Sequence, residues 1–155
     1  MQIWVDADAC PVVIREILLR AAQRVAVPIT FVANSPLQLP SLPTVKFVQV
    51  AKGFDIADNL IAQSVEKNDL VITSDIPLAA EVVDKHGVVI TSRGEKLTAA
   101  NVRARLNMRD FMETMRSSGL VQSKTPSLSQ SDRQQFANQL DRWLNQFRSE
   151  KAKNT

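Results

Sequence analysis

The chain has 155 residues, 45% apolar and 23% charged, with a single cysteine and a formal net charge of +3. That composition suits one globular domain with a real core, and the lone cysteine excludes an internal disulfide and a multi-cysteine zinc site. No run approaches the roughly 18 apolar residues of a membrane span and no basic-then-apolar leader precedes the first strand, so no membrane association and a cytoplasmic location are expected.

Residues 2–5 form a first strand, and Pro11 suits the first turn of a helix over 11–24 with Ile14, Ile17, Leu18 and Ala21 as its apolar stripe. Pro28–Asn34 reads as a second strand, ending in a Ser35–Pro43 loop with three prolines, and Val45–Val50 reads as a third. Gly53 precedes a helix over 55–67, followed by a buried strand, Asp69–Thr73. A helix over 76–86, with His86 as its C-terminal cap, leads through Gly87 into a last strand, Val88–Thr91. Strands alternating with helices of this length imply right-handed crossovers and a mostly parallel sheet with helices on both faces.

After Arg93-Gly94 the texture changes. Thr98 can cap a long helix over 98–118 with Val102, Met108, Phe111, Met112 and Met115 on its buried side, and Gly119 stops it. A linker over 121–130 precedes a last helix, capped at Ser129 or Ser131 and striped by Phe136, Leu140, Trp143, Leu144 and Phe147. The expected organisation is one domain over 1–150, a core of 1–95 followed by a helical part of 96–150, with a disordered tail over 151–155.

Carboxylates recur where strands end. Asp6 and Asp8 follow the first strand, Asp55 and Asp58 start the helix after Gly53, and Asp75 follows Val71-Ile72-Thr73-Ser74. In a parallel sheet these strand ends share one edge, so Asp6, Asp8 and Asp75 can converge while the first turn of the 55–67 helix leans over them. Such a cluster is costly to desolvate without a cation, and its hard oxygens suit Mg²⁺ or Mn²⁺, which can activate water at a phosphodiester. The plainer reading makes Asp55 and Asp75 helix N-caps and Asp58 a surface residue, and Asp8 could itself cap the Pro11 helix.

Charge is unevenly spread. Residues 1–90 hold 7 Lys/Arg against 10 Asp/Glu, net −3, and residues 91–155 hold 12 against 6, net +6. An acidic half joined to a basic half fits a metal site beside a phosphate-binding surface, and equally a basic helix with solvated faces. Asn101, Arg105 and Arg109 recur every four residues on one helix face, and Arg93 follows the last strand. They could bind nucleic-acid phosphates, or form salt bridges to Asp110, Glu113 or the last helix. Aromatic residues sit at core spacing, so base stacking gains no support. Cys10 between aspartates reads as a packed thiol rather than a nucleophile.

The motifs Val5-Asp6-Ala7-Asp8-Ala9-Cys10-Pro11-Val12, Gly53-Phe54-Asp55-Ile56-Ala57-Asp58, Val71-Ile72-Thr73-Ser74-Asp75-Ile76-Pro77-Leu78-Ala79 and Thr91-Ser92-Arg93-Gly94 resemble the YaiI/YqxD family of uncharacterised bacterial proteins. The resemblance continues through Asn101–Leu106, Arg109-Asp110 and the Asp132…Phe136…Leu140-Asp141 helix. That family looks like a branch of the PIN-like nucleases, whose acidic strand ends hold Mg²⁺ or Mn²⁺ for RNA cleavage. The resemblance implies a three-layer PIN-like α/β fold with two additional C-terminal helices. Asp6 would match the aspartate closing the first strand, Asp58 the acidic residue on a central helix, and Asp75 the aspartate of the Thr-x-Asp motif, while Asp8 and Asp55 match less directly. The linker departs from the pattern, reading Gln122-Ser123-Lys124-Thr125-Pro126 where a glycine pair before the proline is expected.

The expected function is therefore a divalent-metal-dependent nuclease or phosphodiesterase acting on RNA. Asp6, Asp8, Asp55, Asp58 and Asp75 are the metal candidates; all but Asp55 are also catalytic candidates, and Asp55 is an outer ligand or water-orienting base. Arg93, Asn101, Arg105 and Ser74 are the substrate candidates. One alternative is a non-catalytic module that binds nucleic acid or protein. Another is a haloacid-dehalogenase-like phosphatase with Asp6 as nucleophile, Asp8 as acid/base, Ser74 on phosphate and Asp75 on metal. Against the phosphatase, Cys10-Pro11 replaces the expected Gly/Thr loop, and no lysine is suitably placed after the later strands.

Overall fold

The computed structural model describes residues 1–53, 55–107 and 127–153. Strand β1 (Ile3–Asp6) leads through a 3-10 turn (Ala7–Ala9) into α1 (Val12–Val25), followed by β2 (Ile29–Ala33) and β3 (Val45–Gln49). Then come α2 (Ile56–Ser64), β4 (Leu70–Ile72), α3 (Ile76–Asp84), β5 (Val88–Ile90) and β6 (Lys96–Leu97). Helix α4 is described over 99–107, and α5 spans Gln130–Lys153.

Element ends up to β5 fall within three residues of those expected. Two expectations are corrected. Val88–Ile90 is not the last strand, because the chain turns at Gly94 and adds β6, too short for any alternation to show in sequence. The last helix also continues through Lys151 to Lys153, into the stretch expected to be disordered. Met108, Phe111, Met112, Met115 and Gly119, expected to complete and stop the helix that begins here as α4, lie outside the described residues, as does Arg109.

The sheet order is β3-β2-β1-β4-β5-β6. The first five strands are parallel and β6 is antiparallel to β5. Alternation along each strand sends side chains to opposite layers. Ile3, Val5, Ile29, Phe31, Leu70 and Ile72 pack with Ile14 and Leu18 of α1 and with Phe136, Leu140, Trp143, Leu144 and Phe147 of α5. Val32, Val71 and Val89 pack on the other face with Ile61 of α2, Leu78 and Val82 of α3, Leu97 of β6 and Val102 of α4. The result is a three-layer α/β fold. At about 1.5–3 kcal/mol per buried large apolar side chain, the stripe of α5 is integral to the first layer's core.

Crossover direction explains why helices occupy both faces. The chain steps from β1 to β2 with α1 on one face, and from β4 to β5 in the opposite direction with α3 on the other. A single crossover hand produces both arrangements. The order reverses between β1 and β4, so a crevice opens beyond the carboxyl ends of those two strands, where sheets of this kind place ligands.

Helix α3 ends as the sequence leads one to expect. His86 adopts φ 65°, its N–H donates to the Val83 carbonyl at 2.9 Å, and the Gly87 N–H donates to the Val82 carbonyl at 3.0 Å. This is the Schellman closure, with histidine rather than glycine in the left-handed position. His86 is exposed, so His86→Gly should raise unfolding free energy by roughly 0.5–1 kcal/mol, read from urea midpoints at constant m.

Candidate functional site

The crevice is acidic because three apolar elements each end on a carboxylate there. Asp6 closes β1 and is only 9% exposed. Its Oδ2 accepts a 3.0 Å hydrogen bond from Thr73 Oγ1, which in turn accepts one from the Asp75 backbone N–H at 3.0 Å. Asp75 is the N-cap of α3, its Oδ1 accepting from the Leu78 N–H at 3.0 Å. The cap reading of Asp75 therefore holds, and the cap is what aims this residue at Asp6. Asp58 leans in from the first turn of α2 and shares a hydrogen bond with Asp75.

Asp55 occupies the N-cap position of α2 at φ 63°, yet its side chain makes no capping hydrogen bond. Asp8 does not cap α1, whose N-cap is Pro11; instead its Oδ2 accepts from the Asn34 N–H at 2.8 Å, tying the end of β1 to the end of β2. Asp6, Asp8, Asp55 and Asp58 line a cavity of about 140 Å³ with Asn34 and Gly53.

Crowding shows in the protonation energetics. Burial raises the Asp6 carboxyl; the Thr73 hydrogen bond opposes this, and the charges of Asp75 and Asp8 add to it. Asp58 is pushed up to about 7, first by burial, then by the charges of Asp75 and Asp6, the hydrogen bond with Asp75 and the charge of Asp55. Each ionised carboxylate here disfavours ionisation of its neighbours, a cost that a bound positive charge would offset. Among the described residues none of the five is ion-paired to a lysine or arginine.

The donor chemistry fits a divalent cation. Every ligand candidate offers hard carboxylate oxygen, and Asp6 and Asp8 each commit one oxygen to the fold, leaving the other without a hydrogen-bond partner among the described residues. As they stand, no three His, Cys, Asp or Glu side chains among the described residues form a set that could hold a metal ion. A cation would have to draw these carboxylates inward.

The expected phosphate-binding residues are distributed differently. Arg93 donates to Asp132 Oδ2 at 2.7 Å, the salt bridge to the last helix that the sequence left open. It lines a second cavity of about 530 Å³ with Ser74. Asn101 closes the start of α4: its Oδ1 accepts from the Thr98 N–H at 2.7 Å, its N–H donates to Thr98 Oγ1 at 3.2 Å, and its Nδ2 donates to the Lys96 carbonyl at 3.0 Å. Arg105 is ion-paired with Glu95. Asn101 and Arg105 line neither cavity.

The profile of the family described as "Uncharacterized BCR, YaiI/YqxD family" matches residues 4–146. The chain belongs to the YaiI/YqxD family. Proteins named UPF0178 protein from Yersinia pestis (strain Pestoides F) and Yersinia pseudotuberculosis (serotype O:3, strain YPIII) are each 60% identical over 150 residues, spanning 97% of this chain and 99% of theirs. No solved structure matches the chain.

In this YaiI/YqxD chain two residues of the acidic edge had no role assigned from sequence. Thr73 bridges Asp6 to Asp75, and the Thr-x-Asp spacing already contains that geometry. Asn34 anchors Asp8, its only signal being a polar residue directly after an apolar strand. Cys10 behaves as expected: burial pushes its thiol up to about 12, with Arg15 opposing and Asp6 adding. It is no nucleophile near neutral pH. Asp69, at the opposite end of the sheet, is 1% exposed but satisfied by the Gln2 and Glu66 backbone N–H groups and by Trp4 Nε1 at 3.0–3.2 Å. Its role is structural. No helix among the described residues is long and apolar enough to cross a membrane.

Proposed function

We propose that this chain is a PIN-like, divalent-metal-dependent phosphodiesterase that cleaves RNA in the cytoplasm. The observation that carries the reading is the convergence of Asp6, Asp58 and Asp75, from β1, α2 and α3, at the crevice where the strand order reverses. Asp6, Asp58 and Asp75 would hold Mg²⁺ or Mn²⁺, with Asp8 and Asp55 at the rim. The bound ion would activate water and offset charge on the phosphoryl oxygens. Thr73 holds Asp6 in one rotamer, and the α3 cap holds Asp75, so the ligands are oriented by the fold itself. Arg93 and Ser74 in the adjoining cavity would position substrate phosphate.

Cleavage of short single-stranded and structured RNAs with Mn²⁺ tests this. Asp6→Asn and Asp58→Asn should each lower the rate by about 100-fold or more, at the upper end of losses seen when metal-site support is removed. Asp55→Gly removes a rim carboxylate while keeping a backbone that glycine adopts freely, and should cost no more than about tenfold. Absence of Mn²⁺-dependent cleavage on every RNA and DNA tried, with nucleic-acid binding indifferent to Asp58→Asn, would make the chain a non-catalytic binding module. Hydrolysis of p-nitrophenyl phosphate abolished by Asp6→Asn would instead support the phosphatase.

A further inference from the structure

The larger cavity, beside the acidic crevice, carries a second inference. It is walled by the first turn of α1, by Ser74 after β4, and by Ser92 and Arg93 after β5. Helix α1 has 14 residues, and its N-cap, Pro11, makes no side-chain capping bond. The Ile14 and Arg15 N–H groups both bond to the Pro11 carbonyl, at 3.1 and 3.0 Å, leaving those of Val12 and Val13 without an acceptor among the described residues. Open N–H groups at the positive end of a helix attract anions.

Ser92 supplies an independent indication. It is 8% exposed, and its hydroxyl makes no hydrogen bond among the described residues. No side-chain nitrogen or oxygen sealed from solvent among them lacks a partner, so the Ser92 hydroxyl keeps a little exposure, and Ser92 lines this cavity. A hydroxyl on a residue this buried, without a partner among the described residues and at the wall of a cavity, is placed to meet what enters that cavity rather than to support the fold. At about 530 Å³ the space far exceeds the roughly 30 Å³ share of one water.

We infer that this cavity is a phosphate-binding subsite in which the Val12 and Val13 N–H groups and the Ser92 and Ser74 hydroxyls donate to the phosphate oxygens of a nucleotide. Arg93, held against Asp132, contributes positive potential from the wall. The inference deepens the phosphodiesterase reading by naming where a phosphate flanking the acidic crevice would sit, and it rests on that reading for the identity of the ligand as a nucleotide.

Binding measured in EDTA separates the two. Inorganic phosphate and uridine 5′-monophosphate are titrated by calorimetry, with uridine as the phosphate-free control. Ser92→Ala removes the hydroxyl without breaking a bond in the fold. Val12→Pro removes one N–H at the first helical position, where proline is well accommodated and the extended Pro11 (ψ 149°) suits a following proline. Each should weaken both phosphate ligands about tenfold or more at unchanged Tm, because each deletes a donor to a charged group. Asp58→Asn should leave binding in place. Failure of the wild type to bind either phosphate ligand, or binding by both variants as tight as by the wild type, overturns the subsite even if RNA is cleaved. Loss of phosphate binding in the variants upholds it even if no cleavage is found. Uridine binding as tightly as its monophosphate would also overturn it.

Discussion

Asp58→Asn should make the protein more stable at pH 8 while abolishing its response to divalent cations. The folded-state carboxyl titrates near 7, against about 4 in an unfolded chain, so the folded state holds this proton more tightly. The associated stability is fully present below about pH 4 and is lost as pH rises toward 7, because the ionised group must then sit among Asp75, Asp6 and Asp55. Asparagine never ionises, so the advantage of the variant should be absent at pH 4, grow between 4 and 7, and level off above. Asp58 is only partly buried, and solvent screening reduces the effect to about 1–2 kcal/mol, or roughly 3–8 °C in Tm. In the wild type, millimolar Mn²⁺ should supply the missing positive charge, raise Tm at pH 8 and flatten the pH dependence by mass action on the folded state. The variant should show neither change. A variant less stable than wild type at pH 8, or a Mn²⁺ response equal in both, would show that the carboxylates do not repel one another as the geometry requires.

Gly94→Ala should destabilise the fold by about 3 kcal/mol or more, enough to lower Tm by roughly 10 °C. Gly94 sits at φ 83° in the turn between β5 and β6, its N–H bonded to the Thr91 carbonyl at 2.9 Å. A Cβ there would meet the backbone nitrogen of Phe136 and, at 2.5 Å, the carbonyl carbon of Gln135. Backbone of a packed helix cannot rotate aside as a side chain can, and the positive φ adds its own penalty. Relief requires α5 to lift, and with it Phe136, which is fully buried in the first-layer core. Thermal unfolding of Gly94→Ala and of the neighbouring Arg93→Ala decides the matter. The arginine change removes the partly exposed ion pair with Asp132 among its contacts, with no clash against the backbone of α5, and should cost clearly less than the glycine change. Similar Tm values for the two variants would mean that α5 does not seat on this turn.

The motifs around Asp6, Asp58 and Asp75 were legible in the sequence because apolar strands and amphipathic helices announce where they stop, and a carboxylate just past such a stop lies at a sheet edge. The cation-bearing side was less legible. Asn101, Arg105 and Arg109 share a helical spacing that suits phosphate, but spacing does not say whether a donor's capacity is already taken. Asn101 is used by Thr98 and Lys96, and Arg105 by Glu95, both within a few residues of the short β6 that the pattern did not reveal. The Asp132 carboxyl is lowered, first by the Ser129 backbone N–H and also by Arg93, so that salt bridge follows from the capping of α5.

By itself the sequence determined the element order as far as β5, the apolar stripes and the three places where carboxylates stand at an element's edge, since each depends on contacts within one helix or strand. Tertiary structure decided which of those places meet. The adjacency of β1 and β4 pairs Val5 with Ile72 and brings Thr73 to Asp6 across 67 residues of chain. It decided that Asp8 serves β2 and that Ser92 faces a cavity. Strand order is set by the summed packing of two layers of core, a long-range balance that no local run of residues records.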